Sequence, residues 1–348
     1  MNRQTKRNER DIAKHETQKE RRARKKQRRG GSGGDDNPGV TGEVSSAADD
    51  AAAGIVISVA SGRCRVFLDG ADIDCLVPSA IATVQKSALA VGDRVLIEQE
   101  AGVARLNAIL PRRTVLARPD PLHKHRQRLI AANIDVVIHV VSVKAPPLRP
   151  RLIDRYLIAI MRGGAQPVVC VNKVDLLDDD QRAIEIEKLS VYRDLGVPVI
   201  ACSTHSGEGL DALREIVLGK TAALVGHSGV GKSSILNAIN ARLQLATNTL
   251  HRRGTGRHTT SASTLYDFGD GTYLIDTPGI REFGLWDLDR GSLRDYFPEF
   301  EEPNESCRFT DCTHVHEPDC EVKDRVEAGT FNRARYETYV RLYEDLET

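Results

Sequence analysis

A glycine-rich octapeptide between an apolar run and a helix-like segment restricts the fold more than any other feature of this sequence. It spans 226–233 and fits the pattern of a phosphate-binding loop, with a buried strand predicted at 222–225 and a helix from 234 onward. In such a loop the backbone N–H groups surround the phosphates, Lys232 reaches the β and γ phosphates, and the Ser233 hydroxyl binds Mg²⁺. The predicted phosphate-binding residues are Gly226, His227, Ser228, Gly229, Val230, Gly231, Lys232, Ser233 and Ser234.

Three further segments follow predicted strands and are expected to complete a guanine nucleotide site. Asp175 offers a carboxylate to N1–H and the 2-amino group of guanine, whereas adenine would leave it unpaired, which disfavours an ATPase. Asp276 is expected to contact Mg²⁺, and Gly279 to offer its N–H to the γ-phosphate. Lys173 would cover the base, and Asn172 would brace the loop and approach the base edge. A backbone N–H at Ser203 or Thr204 would reach guanine O6. The segments are Asn172-Lys173-Val174-Asp175, Ser203-Thr204 and Asp276-Thr277-Pro278-Gly279.

The remaining apolar runs predict a multidomain α/β protein. Between 114 and 284 near-continuous apolar strands alternate with helices around 151–162 and 180–195, which predicts a parallel sheet covered on both faces. The strands are predicted at 134–141, 167–171, 197–200, 222–225 and 273–275. In 54–113, five short apolar runs separated by turn signals predict a small β-barrel of the OB type, a fold that often binds oligonucleotides.

The order of the nucleotide motifs is unusual, because the base-binding segment at 172 precedes the phosphate loop at 226. GTPases normally carry the phosphate loop first, so the chain resembles the circularly permuted GTPases. A permuted site can persist because motifs at strand ends meet in space whatever the order of connection. The arginine- and glycine-rich segment 252–260 is then expected to be the switch, in which Thr259 or Thr260 reaches Mg²⁺ and the γ-phosphate.

The residue that orients the attacking water is not evident, because Ile280 stands where familiar GTPases have a glutamine. His258 is the candidate within the chain, since an imidazole exchanges protons with water near neutral pH. Alternatively, a partner orients the water. The alternative role of His258 is that of a switch-loop residue that contacts RNA or nothing. We therefore expect slow intrinsic hydrolysis that a partner stimulates strongly.

Three of the seven cysteines cluster near the C-terminus in a pattern typical of a structural metal site. Cys307, Cys312 and Cys320, with His314 or His316, would close a tetrahedral zinc site with no open position, one Zn²⁺ per chain. The odd cysteine count argues against a disulfide framework. The following stripe, which includes Tyr336 and Tyr339, is expected to pack against the rest of the protein.

The formal net charge of zero conceals two charged ends. Residues 1–30 hold 13 Lys/Arg and 4 Asp/Glu, whereas residues 281–348 hold 9 Lys/Arg and 18 Asp/Glu. The basic arm suggests a nucleic-acid partner, although a solvated tail is the alternative. No run of 18 apolar residues and no signal peptide are present, so we expect a cytoplasmic monomer that contacts no membrane.

Together these features over 54–348 resemble the RsgA family of small ribosomal subunit biogenesis GTPases; Gly256–Thr260 and Arg281–Leu285 add to the likeness. The resemblance implies a disordered arm and linker at 1–53, an OB-fold at 54–113, a circularly permuted P-loop GTPase domain at 114–284 and a zinc-binding helical domain at 285–348. It also implies His314 as the fourth zinc ligand.

The same resemblance implies a function. The protein would bind 16S rRNA late in small-subunit maturation and hydrolyse GTP to GDP and phosphate with stimulation by the subunit, and its nucleotide state would control rRNA binding and release. The alternative is an RNA-binding assembly factor whose nucleotide is a slow timer and whose catalysis is incidental.

Overall fold

The computed structural model describes residues 53–79, 81, 89–100, 102–119, 127–247, 263–277 and 288–346. The predicted arm at 1–53 therefore lies outside the described residues except for Ala53. Within the described part of the chain, no helix has both the length and the apolar character needed to cross a membrane.

The first strands close into a small barrel, which confirms the prediction for this region. Its sequential neighbours pair antiparallel, while β3 and β5 run parallel, and the strand order around the barrel is β1-β2-β3-β5-β4. Apolar side chains alternate along each strand, so that Val56, Val66 and Leu106 fill the interior. The strands are β1 Gly54–Ala60, β2 Arg63–Leu68, β3 Ala71–Leu76, β4 Arg94–Glu100 and β5 Val103–Ile109.

A two-stranded antiparallel hairpin, β6 Val115–Pro119 with β7 Gln127–Ala132, follows the barrel and was not predicted. The Asn133 side chain lies directly after it and joins two segments. Its Nδ2 donates to Gly92 O at 2.9 Å, and its Oδ1 accepts from the Arg113 N–H at 2.9 Å. This hairpin therefore links the barrel to the sheet that follows.

The central sheet has the order β10-β9-β8-β11-β13-β12. Its first five members in that order are parallel, as predicted, whereas the edge strand β12 pairs antiparallel with β13 and was not predicted. The strands are β8 Val136–Ser142, β9 Gln166–Asn172, β10 Val199–Ala201, β11 Thr221–Val225, β12 Thr264–Asp267 and β13 Tyr273–Asp276. Because β11 is central, the loop that follows it has neighbouring strands on both sides.

Helices cover both faces of the sheet. One face packs against α4 and α5 through Leu213, Ile235 and Ile239, and the other packs against α1 through Tyr156 and Ile160. The helix predicted at 180–195 is two helices, of which the first begins where the Asp178 side chain accepts from the Gln181 N–H. The helices are α1 Pro150–Arg162, α2 Asp179–Glu187, α3 Ser190–Asp194, α4 Leu210–Val217 and α5 Lys232–Thr247.

The C-terminal segment is helical and has a small aromatic core of its own. Phe297, Phe300 and Tyr339 lie in mutual contact with ring centroids 5.0–5.4 Å apart. Short 3-10 turns at Arg294–Tyr296 and Pro298–Phe300 lead into this core. The helices are α6 Arg290–Leu293, α7 Glu301–Asn304, α8 Glu321–Glu327 and α9 Arg333–Asp345.

Candidate functional site

The glycine-rich loop lies between β11 and α5, where the sequence analysis predicts it. Gly226 and Gly231 have φ of +140° and +99°, conformations that side chains rarely adopt. A Cβ at Gly226 would lie 2.2 Å from Val140 O, and one at Gly231 would lie 2.2 Å from Asn172 Nδ2. These two positions therefore require glycine because neighbouring strands approach the loop closely.

The predicted base-binding segment contacts this loop although it precedes it by more than fifty residues. The buried Asn172 side chain donates from Nδ2 to Val230 O at 2.8 Å. The Lys173 ammonium donates to Gly229 O at 2.6 Å and to Ala145 O at 2.8 Å. Val174 is buried, whereas the Asp175 side chain is exposed in the 3-10 turn Val174–Leu176. The carboxyl ends of β9 and β11 thus present the two motifs at one edge of the sheet.

Ser203 holds a tight loop after β10, on the far side of the base-binding segment. Its buried hydroxyl oxygen accepts from the His205 and Ser206 N–H groups at 3.1 Å each. Its own N–H donates to Glu208 O at 3.0 Å, and the Val174 N–H donates to Cys202 O nearby. A bidentate ion pair between Arg182 and Glu208 connects this loop to helix α2, which follows the base-binding segment. Thr204 is half-buried in this loop.

Two opposite charges lie at the same edge of the sheet, one at the start of α5 and one at the end of β13. Lys232 donates to Gly226 O at 2.7 Å and to His227 O at 3.0 Å, so its ammonium is held inside the loop. Burial lowers the pKa of Lys232, while Asp276 acts in the opposite direction. Burial likewise raises the pKa of Asp276, against the effect of Lys232. Ser233 is exposed in the first turn of α5.

Thr277 belongs to the predicted segment Asp276–Gly279, and its structural role at this edge was not predicted. Its buried hydroxyl donates to Leu224 O at 2.5 Å and so ties the end of β13 to β11. The candidates His258, Thr259, Thr260 and Gly279 lie outside the described residues, as does Ile280.

A second cluster lies in the C-terminal segment and consists of Cys307, Cys312, His314 and Cys320. Their ligand atoms all lie within 4.8 Å of one another. The His314 Nδ1 atom is 3.7 Å from Cys307 Sγ and 3.4 Å from Cys320 Sγ. A tetrahedral zinc ion leaves its sulfur and nitrogen ligands about 3.5–3.8 Å apart, so these residues fit such an ion. His316 instead contacts the Tyr343 ring, with centroids 6.4 Å apart.

Two tyrosines of α9 bind the backbone of the loop that carries this cluster, a role that was not predicted. Tyr336 Oη donates to His314 O at 2.8 Å, and Tyr339 Oη donates to Thr313 O at 2.6 Å. Burial raises the pKa of the Cys312 thiol to about 12. Since a metal ligand must be a thiolate, such a buried thiol needs a cation beside it.

Comparison with known proteins gives a consistent result. A family model described as RsgA GTPase matches residues 109–286. The chain is 40% identical over 263 residues to the small ribosomal subunit biogenesis GTPase RsgA of Gemmatimonas aurantiaca, covering 74% of this chain and 84% of that protein. It is 38% identical over 291 residues to the protein of the same description from Chlorobaculum parvum, covering 80% and 93%.

Solved structures of the same kind also match. The crystal structure of YjeQ from Thermotoga maritima has a TM-score of 0.69 and 34% identity, covering 85% of this chain and 98% of that chain. The structure of YloQ, described as a circularly permuted GTPase, has a TM-score of 0.64 and 29% identity, covering 84% and 94%. These matches confirm the permuted fold that the motif order predicts.

Proposed function

This chain belongs to the RsgA GTPase family, and we propose that it hydrolyses GTP in the biogenesis of the small ribosomal subunit, as the names of its relatives state for them. The hydrolysis products are GDP and phosphate. We further propose that 16S rRNA is its contact on the subunit, that the subunit stimulates hydrolysis, and that the nucleotide state controls binding and release.

The observation that carries the proposal is the pair of contacts from Asn172 and Lys173 to the phosphate loop. A base-binding segment and a phosphate loop serve one nucleotide only if they lie side by side, and here two side chains hold them together. Asp175 then selects guanine, because its carboxylate accepts two hydrogen bonds that adenine does not donate. The N–H of Thr204 is the stronger candidate for guanine O6, since the Ser203 N–H binds Glu208 O.

Lys232 and the backbone of 226–233 would neutralise and orient the phosphates. The N-terminus of α5 adds a favourable dipole for anions. Ser233 and Asp276 would hold Mg²⁺, because Ser233 lies in the first turn of α5, after the loop that follows β11, and Asp276 ends the adjacent strand β13. When bound, the ion would neutralise charge that develops on the phosphate oxygens. We assign the switch threonine to Thr259 or Thr260, the γ-phosphate contact to Gly279, and the orientation of water to His258 or to the subunit.

Cys307, Cys312, His314 and Cys320 would hold one structural Zn²⁺. The distances among these three thiols and one imidazole support this donor set. We propose domain boundaries at 54–113, 114–284 and 285–348, with the arm 1–53 as an additional RNA contact. We also propose that the protein acts in the cytoplasm as a monomer.

The decisive experiment is GTP turnover with and without purified small ribosomal subunits, over a series of salt concentrations. We expect the subunit to increase turnover strongly and the stimulation to fall as salt rises, because phosphate contacts release counterions. Lys232→Ala should abolish both basal and stimulated turnover. Fast turnover without subunits would contradict the proposed dependence on a partner.

The competing proposal, an RNA-binding factor with incidental catalysis, gives a different result in cells. If the Lys232→Ala protein restores subunit maturation in a strain that lacks the wild-type protein, the nucleotide switch is not needed and the competing proposal holds. If it binds subunits but leaves them immature, hydrolysis is part of the function.

A further inference from the structure

A buried cluster of charges joins the C-terminal helix α9 to helix α1 of the GTPase domain. The Arg335 side chain is 5% exposed and its partner Asp154 is 2% exposed. Arg335 Nη1 donates to Asp154 Oδ1 at 2.5 Å, and Nη2 donates to Glu299 Oε2 at 3.2 Å. The Nε atom donates to the other oxygen of Glu299. One guanidinium thus binds two carboxylates that come from separate parts of the chain.

Aromatic rings enclose this guanidinium. Its carbon lies 4.7 Å from the Phe297 ring centroid and 5.8 Å from that of Tyr192. Tyr192 is buried and donates from its hydroxyl to Pro150 O at the start of α1. Water is therefore largely excluded from the ion pairs, and removal of one partner leaves an uncompensated buried charge.

Helix α9 reaches the candidate zinc cluster from the adjacent residues. Tyr336 and Tyr339 bind the carbonyls of His314 and Thr313, as described above. The Thr313 N–H in turn donates to the Glu317 carboxylate at 2.9 Å. A displacement of α9 would therefore shift the backbone of the loop that carries the metal ligands.

Helix α1 continues the connection to the sheet. Side chains two residues apart are separated by about 200° around the helix axis. Tyr156 therefore faces the sheet, while Asp154 faces α9. The Tyr156 ring stacks on His139 of β8, with centroids 3.8 Å apart. Strand β8 pairs with β11, which leads into the phosphate loop. Helix α1 thus contacts both Arg335 and the strand that pairs with β11.

We propose that Arg335 is a positioning residue that fastens the metal-binding loop to the GTPase domain. It holds α9 against α1, so that the loop at 312–317 keeps its geometry only while this buried contact is intact. The zinc-release measurement rests on the zinc site proposed above. Amide hydrogen exchange of the backbone gives a second measurement that does not require zinc.

The chain offers two matched controls. Arg151 and Glu337 form an ion pair at 3.1 Å between the same two helices, but both side chains are nearly half exposed. Removal of that pair should have little effect, because exposed ion pairs contribute little. Leu213 of α4 is fully buried on the opposite face of the sheet, so Leu213→Ala destabilises the domain without touching α9.

The test compares the full-length zinc-loaded protein with its Arg335→Met, Arg151→Met and Leu213→Ala variants. Zinc release into excess chromophoric chelator is followed at a temperature at which every variant is folded. Arg335→Met should accelerate release at least about tenfold, because the buried Asp154 and the partly buried Glu299 lose their cationic partner. The two controls should stay within about twofold of the wild type. Equal acceleration by Leu213→Ala would mean that release follows general stability, and it would overturn the proposal.

Two additions keep the test decisive. If Arg335→Met fails to fold, Arg335→Lys replaces it, since a lysine keeps the charge but cannot reproduce the bidentate contact with Glu299; unchanged release in that variant refutes the proposal. If the wild-type protein holds no zinc, the proposed metal site is wrong, and amide hydrogen exchange of the peptide 309–317 decides the matter. Faster exchange there in the Arg335 variant, and not in the Arg151 variant, supports the positioning role, whereas equal exchange refutes it.

Discussion

Substitution of Gly231 by alanine tests the contact that joins the two nucleotide-binding segments. The added methyl group would lie 2.2 Å from Asn172 Nδ2, at a φ of +99°. Asn172 must then move and break its buried hydrogen bond to Val230 O. Loss of that bond costs about 1–3 kcal/mol, and the strained backbone costs about 1–3 kcal/mol more. We expect the free energy of unfolding to fall by about 2–6 kcal/mol.

Gly229 provides the matched control within the same loop. Its φ is +83°, but the nearest atom to an added Cβ is Ala145 O at 4.0 Å. Gly229→Ala should therefore cost only the backbone strain of about 1–3 kcal/mol. Urea denaturation of the nucleotide-free proteins, followed by circular dichroism, gives both values under conditions in which ligand binding cannot contribute.

A double-mutant cycle locates the clash. Asn172→Ala alone should cost about 1–3 kcal/mol for the lost hydrogen bond. In the double variant with Gly231→Ala that bond is lost only once, so the summed effects of the single variants should exceed the measured effect by about 1–3 kcal/mol. Additive effects, or a Gly231→Ala variant as stable as Gly229→Ala, would refute the proposed contact.

Three other substitutions test separate parts of the structure. Asp175→Asn should weaken GTP binding and admit xanthosine triphosphate, because an amide donates where the carboxylate accepts; nucleotide competition that still prefers GTP would contradict the assignment. Cys312→Ser should reduce the zinc content from about one ion per chain, as elemental analysis would show, whereas Cys64→Ser in the barrel should not. His139→Phe should raise the free energy of unfolding by about 1 kcal/mol, because both buried ring nitrogens lack partners among the described residues. Urea denaturation checks this, and a lower midpoint in the variant would show that the imidazole is needed.

The nucleotide site is the part that the sequence predicts most fully. Each of its motifs follows an apolar strand, and parallel strands bring their carboxyl ends to one edge whatever their order along the chain. That rule places Asn172 and Gly231 at the same edge of the sheet without knowledge of the connections, whereas their contact also depends on the strand order, in which β8 lies between β9 and β11. The contacts themselves, such as Thr277 with Leu224 O, depend on the register of β13 beside β11 and have no separate signal in the sequence.

The unpredicted elements have weaker periodic signals or depend on distant residues. Hairpin β6–β7 has arginines at paired positions, Arg118 opposite Arg128, which shorten its apolar alternation. Strand β12 is four residues long at a sheet edge, and Leu265 is its only fully buried residue. The pair of Asp154 and Arg335 joins residues 181 positions apart, and each of them alone resembles an ordinary charged residue on an amphipathic helix.

Whether the acidic C-terminal segment can bind RNA depends on what its arginines contact. Most of them bind acceptors within the same segment, so they are not available as a patch for a polyanion. Arg308 is the most exposed of those that are paired, yet it binds Asp319 at 2.7 Å, and a phosphate would have to compete with that carboxylate. Attraction of RNA by charge is therefore expected from the arm and the switch segment, whose arginines the sequence groups together, whereas a C-terminal contact would depend on shape. The internal pairs are Arg290 with Tyr343 O, Arg294 with Cys312 O, Arg308 with Asp319, Arg325 with Glu302 and Glu321, and Arg335 with Glu299.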